Sequence, residues 1–154
     1  MTVTDKPIGY WLKHLDNLIE AQFDATLSDQ LVSRRHWQVL NLLRDAARGR
    51  TEVEQALAPF WTEAGPDLDT ILNGANGLIR LGWIASPDDA SPVDDALSLT
   101  TAGRAAHAAI AARVGETRTR LLRGLTAEQY SETVRILAKM ADNVESALAE
   151  RSTR

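Results

Sequence analysis

The sequence predicts a mainly α-helical fold with one small β-hairpin. Three observations predict it. Apolar residues recur at three- and four-residue steps in long stripes at both ends of the chain. Capping and turn residues cut the middle into short helices, and one polar loop lies between two short apolar strands.

The first stripe is Ile8, Trp11, Leu12, Leu15, Leu18, Ile19 and Phe23, one face of a helix from about residue 8 to 27. Lys13, Asp16, Asn17, Glu20 and Asp24 fall between these positions. Residues 27–31 break the pattern, and Ser33 is placed to cap a second helix carrying Trp37, Leu40, Leu43 and Ala47 and ending at Gly49. Thr51-Glu52-Val53-Glu54 has capping-box spacing and starts a short third helix with Val53, Leu57 and Phe60 on its apolar side. Pro59 does not suit a helix interior and leaves the end of that helix open.

Gly65-Pro66-Asp67 is a turn ending in a cap. Beyond it Leu68, Ile71, Leu72, Ala75, Leu78 and Ile79 form another helical stripe, stopped by Gly82, with Gly74 and Gly77 inside it for close backbone approach. Trp83-Ile84 and Ala96-Leu97-Ser98-Leu99 read as the strands of a hairpin around the polar loop from Ser86 to Asp95, which is too long for a tight turn. Thr100 caps an Ala-rich helix to about Arg123, with Gly115 as an internal weak point and Gly124 as its stop. Thr126-Ala127-Glu128-Gln129 is a second capping box, and it starts a last helix to about Ala149. Tyr130, Val134, Leu137, Ala141, Val144 and Leu148 give that helix a coiled-coil-like seam.

Three short helices followed by a β-hairpin describe a winged helix-turn-helix. The long helices before and after it carry more apolar seam than so small a domain can bury, which predicts a two-fold dimer. The chain therefore reads as one domain over 1–154, with a winged helix-turn-helix lobe at 33–100 and dimerisation helices at 5–28 and 101–150.

Composition narrows the function. With 154 residues, 44% of them hydrophobic and 25% charged, the chain is long enough for a sizeable core. The absence of cysteine excludes disulfides, thiolate metal sites and cysteine-based peroxide sensing. No apolar run is long enough to span a membrane, and the N-terminus lacks the pattern of a signal peptide, so a cytoplasmic location is expected. His14, His36 and His107 fall on three separate predicted helices, with no pair at i, i+4 spacing, so no metal site is expected. Dinucleotide, phosphate-loop and nucleophile-elbow motifs do not occur. Neither an enzyme nor a bound cofactor is expected.

Three segments carry a resemblance that covers nearly the whole chain. They are Trp37-Gln38-Val39-Leu40 in the second helix, Leu78-Ile79-Arg80-Leu81-Gly82-Trp83-Ile84 at the junction with the hairpin, and Leu99-Thr100-Thr101-Ala102-Gly103 after it. In this order and spacing the sequence resembles the MarR family of bacterial transcription regulators. The resemblance implies a homodimer, a recognition helix in each major groove of double-stranded DNA, wings at the flanking minor grooves and, in many members, a small-molecule inducer.

The charge map departs from the family pattern. Residues 51–100 hold one base, Arg80, against nine acids, a net −8, while the rest of the chain carries +4. Non-specific DNA affinity rests on cations neutralising phosphates, so this half should bind weakly and in a salt-sensitive way. No Lys or Arg occurs between Leu81 and Gly103, which excludes a minor-groove arginine from this wing. The candidate DNA contacts are Asn73 and Asn76, which can read adenine, Thr70 for a thymine methyl or a phosphate, and Arg80. Arg48 and Arg50 are placed to grip phosphate beside the helix-turn-helix, or else lie on a solvated face.

For an inducer the candidates are Tyr10, Trp11, His14, His36 and Trp37, whose aromatic walls and hydrogen-bonding groups suit a planar, anionic aromatic ligand. The same residues equally describe ordinary core packing. Two functions follow from the sequence: a DNA-binding regulator, or a winged-helix dimer that has lost DNA and uses its acidic lobe to bind a protein or a ligand.

Overall fold

The structure, a computed structural model, describes residues 5–30, 32–85 and 96–153. The elements run in the order α1 (Ile8–Leu27), a 3-10 turn (Ser28–Gln30), α2 (Arg34–Leu42), β1 (Arg48–Gly49), α3 (Arg50–Leu57), α4 (Leu68–Asn73), β2 (Ile84–Ala85), β3 (Ala96–Leu99), α5 (Thr101–Leu121) and α6 (Ala127–Ser152). The chain divides into two compact units, Met1–Gly115 and Glu116–Arg154, so the boundary falls inside α5 beside the glycine that weakens it.

The core lies in the first unit. Leu27 at the end of α1, Leu40 and Leu43 around the end of α2, Ile71 and Leu72 of α4, and Leu78, Ile84, Leu97 and Ile110 are all at most 2% exposed. Each such side chain contributes about 1.5–3 kcal/mol relative to exposure. Three ion pairs hold α1 and the turn after it: Arg34 of α2 meets Asp16 at 3.0 Å and Glu20 at 3.2 Å on α1, and Arg113 of α5 grips Asp29 of the 3-10 turn with both terminal nitrogens at 2.7 and 2.8 Å. The N-terminal part of the α1 stripe is left open, with Ile8, Leu12, Leu15 and Leu18 between 42 and 52% exposed.

The sheet has three strands rather than the two of the expected hairpin. Its order is β1-β3-β2, antiparallel throughout, with Arg48 opposite Leu97 and Ile84 opposite Leu99. The extra strand exists because α2 stops at Leu42, earlier than the stripe up to Ala47 predicts. Residues 43–47 turn, and the next two residues pair with the free edge of β3. Gly49 is then the N-cap of α3, so Thr51 lies inside the helix and the expected capping box does not form; Glu54 pairs with Arg50 instead. The wing loop, including Asp88, Asp89, Asp94 and Asp95, lies outside the described residues.

A second departure concerns α4. The apolar spacing predicts a helix as far as Ile79, but α4 ends at Asn73, with Gly74 as its C-cap in an extended conformation. The chain loops out and returns, so that the N–H groups of Leu78 and Ile79 donate to the carbonyls of Ile71 and Leu72 at 2.9 and 3.0 Å. Those carbonyls would otherwise be orphaned at the helix end. Gly77 lies against the Leu72 carbonyl so closely that a Cβ would collide with it. The junction with α5 explains the Leu99-Thr100-Thr101-Ala102-Gly103 segment. Thr100 Oγ1 accepts from the Gly103 N–H at 2.9 Å and donates to the Gly82 carbonyl, and a Cβ on Gly103 would strike the Trp83 carbonyl.

In the second unit Gly124 adopts φ +84 between the helices, and α6 opens with the expected capping box. The Thr126 N–H donates to Gln129 Oε1 at 2.9 Å, and the Gln129 N–H donates to Thr126 Oγ1 at 3.0 Å. No residue of α6 is buried; Val134, Val144 and Leu148 are 48, 59 and 58% exposed. Among the described residues no helix is long and apolar enough to cross a membrane.

Candidate nucleic-acid interface

Two helices and the connection between them place the candidate reading face. α3 and α4 are joined by residues 58–67, and Arg35 of α2 fixes that connection. Its guanidinium lies 4.9 Å from the Trp61 ring centroid and donates to the carbonyls of Pro66 at 2.7 Å and Thr62 at 3.1 Å. Trp61 Nε1 in turn donates to Gln38 Oε1 at 2.7 Å. The turn between the helices is therefore tied to α2 by four polar or stacking contacts.

α4 starts at Asp67, whose carboxylate accepts from the Thr70 N–H at 2.9 Å and from the Thr70 hydroxyl at 2.8 Å. These bonds hold the Asp67 carboxyl below its ordinary value. Leu68, Ile71 and Leu72 face the core, which leaves Asp69, Thr70 and Asn73 exposed on the other side. Asn73 Nδ2 donates to Asp69 Oδ1 at 3.0 Å, one turn back. The same Oδ1 faces Arg50 NH2 at 3.4 Å, and Arg50 Nε faces Glu54 at 3.4 Å.

Asn76 is not on α4 but in the loop beyond it, exposed, and its carbonyl accepts from His36 Nε2 at 3.1 Å. Arg80 is exposed in the following turn and has no hydrogen-bond or ion-pair partner among the described residues. Arg48 sits on β1, where its Nε donates to the Leu42 carbonyl at 2.8 Å and its guanidinium pairs with Glu52 at 3.0 Å. Thr70, Asn73, Asn76 and Arg80 thus fall on α4 and the segment after it, while Arg48 and Arg50 are engaged by carboxylates of α3 and α4. Those engagements are invisible to a count of charges along the chain.

The five aromatic and histidine candidates separate into two groups. Tyr10, Trp11 and His14 form a ring cluster on the first turns of α1, with centroids 5.2 to 6.3 Å apart, and Tyr10 and Trp11 are 42 and 41% exposed. His36 is buried: its Nδ1 accepts from the Ser33 N–H at 3.0 Å and lies 2.9 Å from Ser33 Oγ, while Nε2 donates to Asn76. This pattern describes a neutral ring protonated on Nε2, and burial pushes His36 below its ordinary value. Trp37 stacks on His107 at 4.8 Å, and His107 Nε2 meets Asn41 Oδ1 at 3.2 Å.

A polar cleft of about 490 Å³ does open between α1 and α2, but Lys13, Asn17, Arg34, Gln38, Phe60 and Trp61 line it rather than any of the five. Among the described residues no group of three His, Asp or Glu could hold a metal ion.

Solved structures share this architecture. The MarR family protein Rv2887 of Mycobacterium tuberculosis, solved in complex with DNA, is 26% identical over 88% of this chain and 98% of its own, with a TM-score of 0.65. The same protein in complex with p-aminosalicylic acid matches at 27% identity and TM-score 0.64 over 88% of this chain and 99% of its own. A probable transcriptional regulator from Pseudomonas aeruginosa matches at 23% and 0.67 over 89% of this chain and 98% of its own. No family model and no curated protein matches the sequence. The chain is a winged-helix protein. Its fold is that of the MarR family over nearly its whole length.

Proposed function

We propose that this chain is a homodimeric, MarR-like transcriptional regulator that binds double-stranded DNA and responds to a small aromatic acid. The observation that carries the reading is the exposed polar face of α4, set on a buried apolar base within a fold shared with a DNA-bound MarR family protein. Thr70, Asn73 and Asn76 read base edges, and Arg80 takes a phosphate. Arg48 and Arg50 are supplementary phosphate contacts once their carboxylate partners release them.

The dimer buries what one chain leaves open, namely Leu12, Leu15 and Leu18 of α1 and Val134, Val144 and Leu148 of α6. A two-fold dimer places two α4 faces on successive half-sites of a palindrome. Salicylic and p-aminosalicylic acids are ligands in the Rv2887 complexes, and a planar aromatic acid is the effector class we assign here. Tyr10, Trp11 and His14 are its candidate contacts on α1, with His36 and Trp37 on the lobe side.

The acidic balance of residues 51–100 favours a second reading, in which the winged-helix dimer has left DNA and engages a basic protein. Electrophoretic titration of the purified protein against genomic DNA fragments at low and moderate salt separates the two. Discrete complexes at low salt that weaken steeply with added salt support the regulator. Absence of any complex with folded, dimeric protein supports the second reading.

A further inference from the structure

We propose that Asp69 sets the base specificity of the reading face, by orienting Asn73 and by withholding Arg50 from phosphate. The proposal rests on the DNA-binding reading above.

An exposed asparagine on a helix ordinarily samples several rotamers, whereas reading adenine needs one amide hydrogen and the amide oxygen directed outward together. The bond from Asn73 Nδ2 to Asp69 Oδ1, 3.0 Å, uses one of the two amide hydrogens. The other hydrogen and Oδ1 remain, which is the donor–acceptor pair complementary to adenine N7 and N6. The same carboxylate oxygen faces Arg50 NH2 at 3.4 Å, and Glu54 faces Nε of that arginine, also at 3.4 Å. The cation next to α4 is therefore met by two carboxylates before any DNA arrives, which lowers its share of sequence-independent attraction. Thr70 is tied in the same manner to Asp67. The result is a face with a fixed reading amide and little non-specific grip. Asp69 is a positioning residue here, acting through Asn73 and Arg50.

The test starts from a duplex that the wild-type protein enriches from random sequence at low salt. Each adenine of that duplex is replaced in turn, and affinities are measured for the wild type, Asn73→Ala, Asp69→Asn and Asp69→Ala, with folding checked by circular dichroism. The wild type should show an adenine whose replacement weakens binding about tenfold or more, a dependence that Asn73→Ala removes. Asp69→Ala should lose about tenfold of that same discrimination, bind random duplex more tightly, and steepen the log–log salt dependence by about one unit as Arg50 is released. Asp69→Asn keeps an acceptor for Asn73 but not the charge, so it should retain the discrimination and still bind random duplex more tightly.

Full adenine discrimination in Asp69→Ala would overturn the proposal, as would an Asn73→Ala protein with unchanged base preference. Should Asp69→Ala not fold, unchanged random-duplex affinity and salt slope in Asp69→Asn would overturn it. A wild-type protein that enriches no duplex fails the DNA-binding reading itself, a result visible before any Asp69 variant is made, and the proposal falls with it.

Discussion

The ring of His36 joins the start of α2 to the loop after α4, with Ser33 on Nδ1 and the Asn76 carbonyl on Nε2. Protonating Nδ1 would cost the bond from the Ser33 N–H, while the Ser33 hydroxyl would have to turn from donor to acceptor. Burial lowers its affinity for protons relative to the ordinary value of 6.5, so the unfolded chain takes up a proton first as pH falls. Stability contributed by the neutral ring is thus fully present above that value and declines as pH drops through it toward the lowered native value. His107 acts in the same direction, through burial first and the Arg44 charge second. The melting temperature should therefore fall between about pH 7 and about pH 5, and His36→Gln should flatten that decline in a circular-dichroism series. A melting profile with the same slope in both proteins would contradict this account of His36. Deep in the core, Leu40→Ala should cost about 2–5 kcal/mol, read from urea unfolding, because the site is fully enclosed.

At the scale of elements, the loop that ends α4 depends on Gly77. Gly77→Ala sets a Cβ against the Leu72 carbonyl, a backbone atom that cannot swing away, so the lobe should lose about 1–3 kcal/mol in the same unfolding measurement. An unchanged midpoint would argue for a continuous helix through this segment. The long helices were legible in the sequence because their apolar positions repeat over five or more turns and their ends carry Thr126 with Gln129, or Gly124. Three features were not. Strand β1 is two residues long and exists only through pairing with β3, nearly fifty positions away, a contact with no local signature. The stop of α2 at Leu42 and that of α4 at Asn73 cut stripes whose spacing continues, because Leu43 and Leu78 enter the core from turns rather than helices. For the reading face, residue type and spacing identified Thr70, Asn73, Asn76 and Arg80 as candidates. The pairings of Asp67 with Thr70, Asp69 with Asn73 and Glu54 with Arg50 are three or four residues apart and so open to helical spacing, whereas the Arg50–Asp69 pair needs the two helices side by side and has no local signature.

For the whole molecule, the proposed dimer would cover the open apolar residues of α1 and α6, so association should add to stability. Val144→Asp with Leu148→Asp should yield monomers in sedimentation at micromolar concentration, and the wild-type melting temperature should rise with protein concentration. A monodisperse wild-type monomer would remove the two-fold symmetry on which palindrome recognition depends. DNA binding by this lobe has to overcome a net −8 over residues 51–100. Selection of random duplex DNA by the purified protein at low ionic strength, followed by salt titration of the enriched site, tests it most directly. The expected outcome is a palindromic site, bound by two chains and released steeply as salt rises. A folded dimer that enriches no sequence at any salt concentration would contradict it.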